Sequence, residues 1–137
     1  MNLNEYRTHF SMWCIVAAPL IAGNDLGSMT AEIKEILTNK ELIAVNQDPL
    51  GKQGRRIRDD GDLEVWVKEL SGKRYAVALL NRSSVPADIT INRKEFGLKG
   101  KVNVRDLWLH KNLGRFSKSF TGKNIQSHGA QILLLTK

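Results

Sequence analysis

The sequence predicts an α+β chain, with a helix–strand–helix piece over residues 1–51 and an antiparallel β-sandwich over residues 52–137. Apolar residues recur with a helical period in the first part and with a period of two from about Ile57 onward. The charge changes at the same place. Residues 1–51 hold three Lys/Arg against six Asp/Glu, a net of −3. The remainder holds 18 against 8, a net of +10, for +7 over the chain. Such a break marks a change of structural unit.

Each element has a local cause. Asn2-Leu3-Asn4-Glu5 has the form of a capping box, with Met1 and Tyr6 at the hydrophobic-staple positions. Tyr6, Phe10, Trp13 and Ala17 then share one helical face. Ile15 and Val16 widen it, so the second half of this helix is expected to be buried nearly all round. Pro19 ends the helix. Pro19 to Ala22 is an apolar run without alternation, as in a parallel strand buried on both faces. A loop, Gly23-Asn24-Asp25, follows. Thr30 caps a second helix with Glu32 in its first turn and Ile33, Ile36 and Leu37 as its stripe. Asn39 caps a third, short helix through about Ala44, and Asp48-Pro49-Leu50-Gly51 is a turn. Helix, buried strand, loop and helix make one turn of a (β/α) barrel.

Leu63 to Lys68 is a strand joined through Ser71-Gly72-Lys73 to Arg74–Asn81, a hairpin. Ala87–Asn92, Val102–Trp108, Phe116–Ile125 and Ala130–Thr136 complete the set. Short strands divided by Gly, Asn and Ser turns predict a sandwich, and no helix is expected after residue 52.

The basic second part invites a nucleic-acid reading. Its cations are scattered through strand-like segments without a nucleic-acid motif, so a solvated basic face is expected and no nucleic-acid partner. Cys14 is the only cysteine, which rules out an internal disulfide, and its apolar surroundings predict a buried, inert thiol. Polar residues follow Met1, so no signal peptide is read there. No run reaches about 18 apolar residues, so no membrane span is expected.

The chemistry-bearing residues are few. His9, His110 and His128 show no metal-ligand spacing and read as structural, and no metal or cofactor is expected. Ser11 and Cys14 lack a nucleophile context. Trp66, Trp108 and Tyr75 suit stacking on a sugar, but core packing is the favoured role for the tryptophans. Trp66 lies between Val65 and Val67 and so faces away from both. Asn81-Arg82-Ser83 is an N-glycosylation sequon with Asn81 as the candidate acceptor.

The runs YRTHFSMW (Tyr6–Trp13), AAPLIAGNDL (Ala17–Leu26) and EILTNKELIAVNQDPLGKQG (Glu35–Gly54) strongly resemble glycoside hydrolase family 27, the α-galactosidases or melibiases and their relatives. Beyond Gly54 the match is looser, with Leu63-Glu64-Val65-Trp66, Asp106-Leu107-Trp108 and His128-Gly129 as landmarks. The resemblance implies a (β/α)8 barrel followed by a small antiparallel β domain, with the boundary near Gly51–Arg56. It implies hydrolysis of terminal α-linked galactose with retention and no metal. Both catalytic aspartates of the family lie on earlier barrel strands, so no catalytic and no direct substrate-binding residue carries over. A barrel needs roughly 250 residues. The chain is therefore expected to be the C-terminal part of an α-galactosidase, inactive alone, from a family often secreted, lysosomal or vacuolar. Asn24 and Asp25 follow the last strand on the face where barrels build their sites. A loop or helix-capping aspartate is the favoured reading of Asp25, ahead of a supporting role with Asn24 at the pocket floor and of a direct catalytic role; the Asn-Asp pair that the resemblance implies here fits a structural or supporting role. An α-galactoside is then a substrate only of the full-length enzyme. Alternatives are a free-standing carbohydrate-binding module and a domain that completes a barrel supplied by another chain. Apolar surface on residues 1–51 should drive self-association unless that segment folds back on the sandwich.

Overall fold

The computed structural model describes residues 3–15, 39–48 and 54–136. The predicted Pro19–Ala22 strand, the loop holding Asn24 and Asp25, and the helix capped by Thr30 lie outside them. So do the first cap residue, Asn2, and the Pro49–Gly51 part of the predicted turn.

Two α-helices precede the strands, α1 (Leu3–Ile15) and α2 (Lys40–Asn46). Eight strands follow: β1 (Arg55–Asp60), β2 (Leu63–Leu70), β3 (Arg74–Asn81), β4 (Ala87–Asn92), β5 (Val102–Asp106), β6 (Lys111–Phe116), β7 (Ser119–Ile125) and β8 (Gly129–Thr136). They form a six-stranded sheet in the order β1-β2-β3-β8-β5-β6 and a two-stranded sheet, β4-β7. Every pairing is antiparallel.

The large sheet is covered on both faces, and the alternation along β2 shows how. Val65 and Val67 point toward β4-β7, into a core with Val77, Leu79, Ile89, Ile91, Leu133 and Leu135. Trp66 and Leu70 point the other way, toward the helices, with Ala76, Ala78, Ile132, Phe10, Cys14 and Leu42. The central strand β3 is buried continuously from Ala76 to Asn81 because both layers cover it. Its sequence accordingly reads as a near-unbroken apolar run rather than an alternation.

Four departures from the sequence reading have local causes. Strand β1, Arg-Arg-Ile-Arg-Asp-Asp, is an edge strand whose charged residues hide its pairing with β2. The expected Phe116–Ile125 strand is two, because the chain reverses at Ser117-Lys118, and Lys111–Phe116 pairs with β5. The expected Val102–Trp108 strand stops at Asp106, whose Oδ1 accepts the N–H groups of Trp108 and Leu109, both at 2.9 Å. A 3-10 turn, Arg93–Phe96, stands where no helix was expected. Glu95 accepts the Asn92 N–H at 2.8 Å, Gly97 closes the turn at φ 68°, and Phe96 is buried in the sandwich core.

Candidate functional site: the helix–sheet junction

The densest polar chemistry among the described residues lies where the helices meet the sheet. Helix α1 presents Phe10, Cys14 and Ile15 to β3 and β8, opposite the small side chains of Ala76 and Ala78. Polar pins fix its register. Trp108 Nε1–H donates to Ser11 Oγ at 2.8 Å, and Thr8 Oγ1 donates to the His128 carbonyl at 3.0 Å. The Trp108 ring meets Phe10 edge-on, at 6.4 Å and 62°, and the Arg7 guanidinium sits 5.4 Å from its centre. Gly54 passes so close to the end of α1 that a Cβ there would collide with the Ile15 carbonyl oxygen and lie 2.7 Å from Ile15 Cγ2.

Helix α2 is held at both ends. Asn39 caps it as the sequence predicts, its Oδ1 accepting the N–H groups of Glu41 (3.1 Å) and Leu42 (3.2 Å). The Nδ2 of the same side chain donates to the Leu107 carbonyl at 3.1 Å, tying the cap to the end of β5. At the other end the fully buried ammonium of Lys68 donates to the carbonyls of Val45 (2.6 Å) and Asn46 (3.2 Å). A cation suits the negative end of a helix dipole. Burial pushes the Lys68 pKa below its ordinary value, only partly countered by Asp48 and Cys14. Asp48 accepts from Ser71 N–H (2.8 Å) and Oγ–H (2.9 Å) and pairs with Arg74, pinning the segment after α2 to the β2–β3 turn.

Glu41 makes a third tie, to Arg105 Nε (2.7 Å) and His110 Nδ1 (2.6 Å). Burial raises the Glu41 pKa, but the hydrogen bonds and charges of Arg105 and His110 outweigh it and leave the pKa below its usual range. The Cys14 thiol is pushed up to about 12 by burial, which fits the inert role predicted for it.

A retaining glycosidase needs two carboxyl groups about 5–5.5 Å apart, one of them free to attack. The buried carboxylates among the described residues are all engaged. Asp48 is bound as above, and Asp106 caps its own turn. Glu64 accepts from Trp66 Nε1 (2.9 Å) and Arg82 (2.9 Å). No group of three His, Cys, Asp or Glu among the described residues can hold a metal ion.

Of the other candidates, His9 and His128 are exposed and line a shallow cleft of about 330 Å³ beside α1, while His110 joins Glu41. Ser11 is buried under Trp108. Trp66 and Trp108 both pack against the helix-side core, each with its indole N–H bonded inside the protein. Tyr75 packs on Phe96 at 6.1 Å. The sequon requires a correction. Asn81 is fully buried, and its Nδ2 donates to the carbonyls of Val85 (2.9 Å) and Ile125 (2.8 Å) while its Oδ1 accepts from Ser83. Both amide hydrogens are used, so a glycan there would break a buried bond and displace the loop. The sequence reading missed Lys68, the Leu107 strut of Asn39, and Asp48. For Lys68 the signal was present, since a period of two places it on the buried face with Trp66 and Leu70.

Residues 60–135 match the family described as "Alpha galactosidase C-terminal beta sandwich domain", and residues 1–48 match the one described as "Alpha galactosidase A". Alpha-galactosidase 3 of Arabidopsis thaliana is 47% identical over 99% of this chain, which covers 32% of that protein. The alpha-galactosidase of Coffea arabica is 45% identical over 99% of this chain and 36% of its own length. The crystal structure of alpha-galactosidase I from Mortierella vinacea superposes with a TM-score of 0.94 at 35% identity, over 100% of this chain and 36% of that one. The chain spans about a third of the length of the curated relatives it matches. With a sandwich of matching topology and a helical segment matched in its own right, the chain belongs to the α-galactosidase (melibiase) family and carries its C-terminal β-sandwich domain.

Proposed function

We propose that this chain serves as the C-terminal part of a retaining α-galactosidase that releases terminal α-D-galactose, and that its own task is to complete and brace the barrel. The observation that carries this reading is the junction. Residues matching the enzyme's preceding domain are bolted to the sandwich by buried polar contacts at Ser11, Asn39 and Lys68, while the buried carboxylates serve structure. On this reading the division falls at 1–51 and 52–137, and the carboxylates that break the glycosidic bond belong to the part of the relatives that this chain does not span. Asn24 and Asp25 would support the sugar pocket from the end of the last barrel strand. The partner of the helix layer is then the rest of the barrel.

The test is hydrolysis of p-nitrophenyl α-D-galactopyranoside. The chain alone should give none. A chimera in which it replaces the corresponding C-terminal third of the Coffea arabica enzyme should fold and hydrolyse the substrate. Turnover by the chain alone, or a folded but inactive chimera, refutes the reading.

A further inference from the structure

Beside β8 the six-stranded sheet loses a strand. Strand β8 pairs with β5 only over its second half, Leu133–Thr136, because β5 stops at Asp106. Residues Gly129–Ile132 therefore have β3 on one side and, among the described residues, no strand on the other. The gap is a cleft of about 460 Å³, within the range of small-ligand sites. Trp108 lines it from the turn after β5, Lys123 and Asn124 from β7, Gln126 from the turn after β7, and Gln131 and Asp106 from the sheet.

We propose that this cleft binds a neutral pyranose sugar. Its lining is balanced in charge, with one carboxylate and one ammonium, which favours a neutral ligand. Three side-chain amides supply donors and acceptors together, as the hydroxyls of a sugar require. An indole supplies apolar surface for the C–H face of a ring. One atom marks the place. The Gln131 Oε1 is buried without a hydrogen-bond partner, while Nε2 of the same amide reaches Asp106 Oδ2 at 3.4 Å. A buried acceptor left unmatched is costly, and a ligand hydroxyl donating to it removes that cost. Gly122 lies against this oxygen, and a Cβ there would collide with it, so only glycine fits beside the amide. A peptide strand is the weaker occupant, since only four residues of β8 lack a neighbouring strand and strand addition draws its affinity from a longer ladder.

The test is saturation-transfer NMR on the whole 137-residue chain with methyl α-D-galactopyranoside, its β-anomer and methyl α-D-glucopyranoside as probes. At least one should show transfer in the millimolar range. Gln131→Leu removes the orphan oxygen and should keep or raise the melting temperature while weakening binding about tenfold or more. The double variant Asn124→Gly, Gln126→Ala alters two exposed positions. Asn124 has φ 54°, which glycine adopts freely, so the fold is retained and binding should fall likewise. Transfer to none of the three sugars, or transfer undiminished in the double variant, overturns the proposal. Neither result bears on hydrolysis by the chimera.

Discussion

Removing the Asn39 side chain is the sharpest perturbation of the junction, because one amide does two jobs. Its Oδ1 caps α2, and its Nδ2 satisfies the Leu107 carbonyl at the end of β5. Loss of a cap costs about 0.5–2 kcal/mol. Leaving a buried carbonyl unmatched costs about 1–3 kcal/mol. Asn39→Ala should therefore destabilise the fold by about 3 kcal/mol. For a chain of 137 residues that lowers the melting temperature by roughly 9–15 °C. Asn39→Ser keeps a capping acceptor and loses only the strut, so it should cost about half as much. The assay is thermal and urea unfolding followed at two signals, helix circular dichroism and indole fluorescence. Both should shift together, since α2 and the sheet share the contact. An alanine variant within about 0.5 kcal/mol of the parent, the range of neutral surface changes, contradicts both roles of the Asn39 amide. So does a loss of helix signal while the sheet melts unchanged.

Other outcomes follow from the same contacts. Gly54→Ala forces a methyl into the Ile15 carbonyl and should destabilise by roughly 1–3 kcal/mol in urea unfolding, the usual cost of overpacking. Cys14, fully buried with its thiol pushed up to about 12, should not react with a disulfide reagent at neutral pH until the chain is unfolded. Burial raises the Glu64 pKa, but hydrogen bonds from Arg82 and Trp66 and the charges of Arg82 and Arg56 lower it further, leaving it below the usual range. A depressed carboxylate contributes stability that is present above its unfolded pKa and lost as pH falls through its folded one, so Glu64→Gln should flatten the acid limb of a stability–pH curve below roughly pH 4.5. Asn81→Ala should cost about 2–3 kcal/mol from its two buried donor bonds, and the parent made in a glycosylating host should show no added glycan mass at this position.

Much of the fold was legible because alternation and helical period survive wherever one face is buried. The Leu63–Lys68 and Arg74–Asn81 strands read correctly as a hairpin, the first running on to Leu70, and Asn39 read correctly as a cap, because each signal is local. The edge strands did not read. Strand β1 is Arg-Arg-Ile-Arg-Asp-Asp and β6 is Lys-Asn-Leu-Gly-Arg-Phe, both mostly exposed, so burial leaves little pattern in them. The junction was only half legible for a different reason. That Lys68 faces inward follows from its neighbours, but its partners lie 22 and 23 residues earlier, and no local rule pairs a strand lysine with the end of a distant helix. Asn81 misled in the opposite sense, since a sequon and a buried Asx turn share the same letters.

The buried contacts at the junction make the helices and the sandwich one cooperative unit, and native-state hydrogen exchange reads that cooperativity residue by residue. Amides of α1 and α2 should exchange with the same opening free energy and denaturant dependence as those of β3 and β8. Helix amides that open several kcal/mol below a still-protected sheet would contradict it, and would leave the sandwich as an independent domain carrying a loosely attached segment.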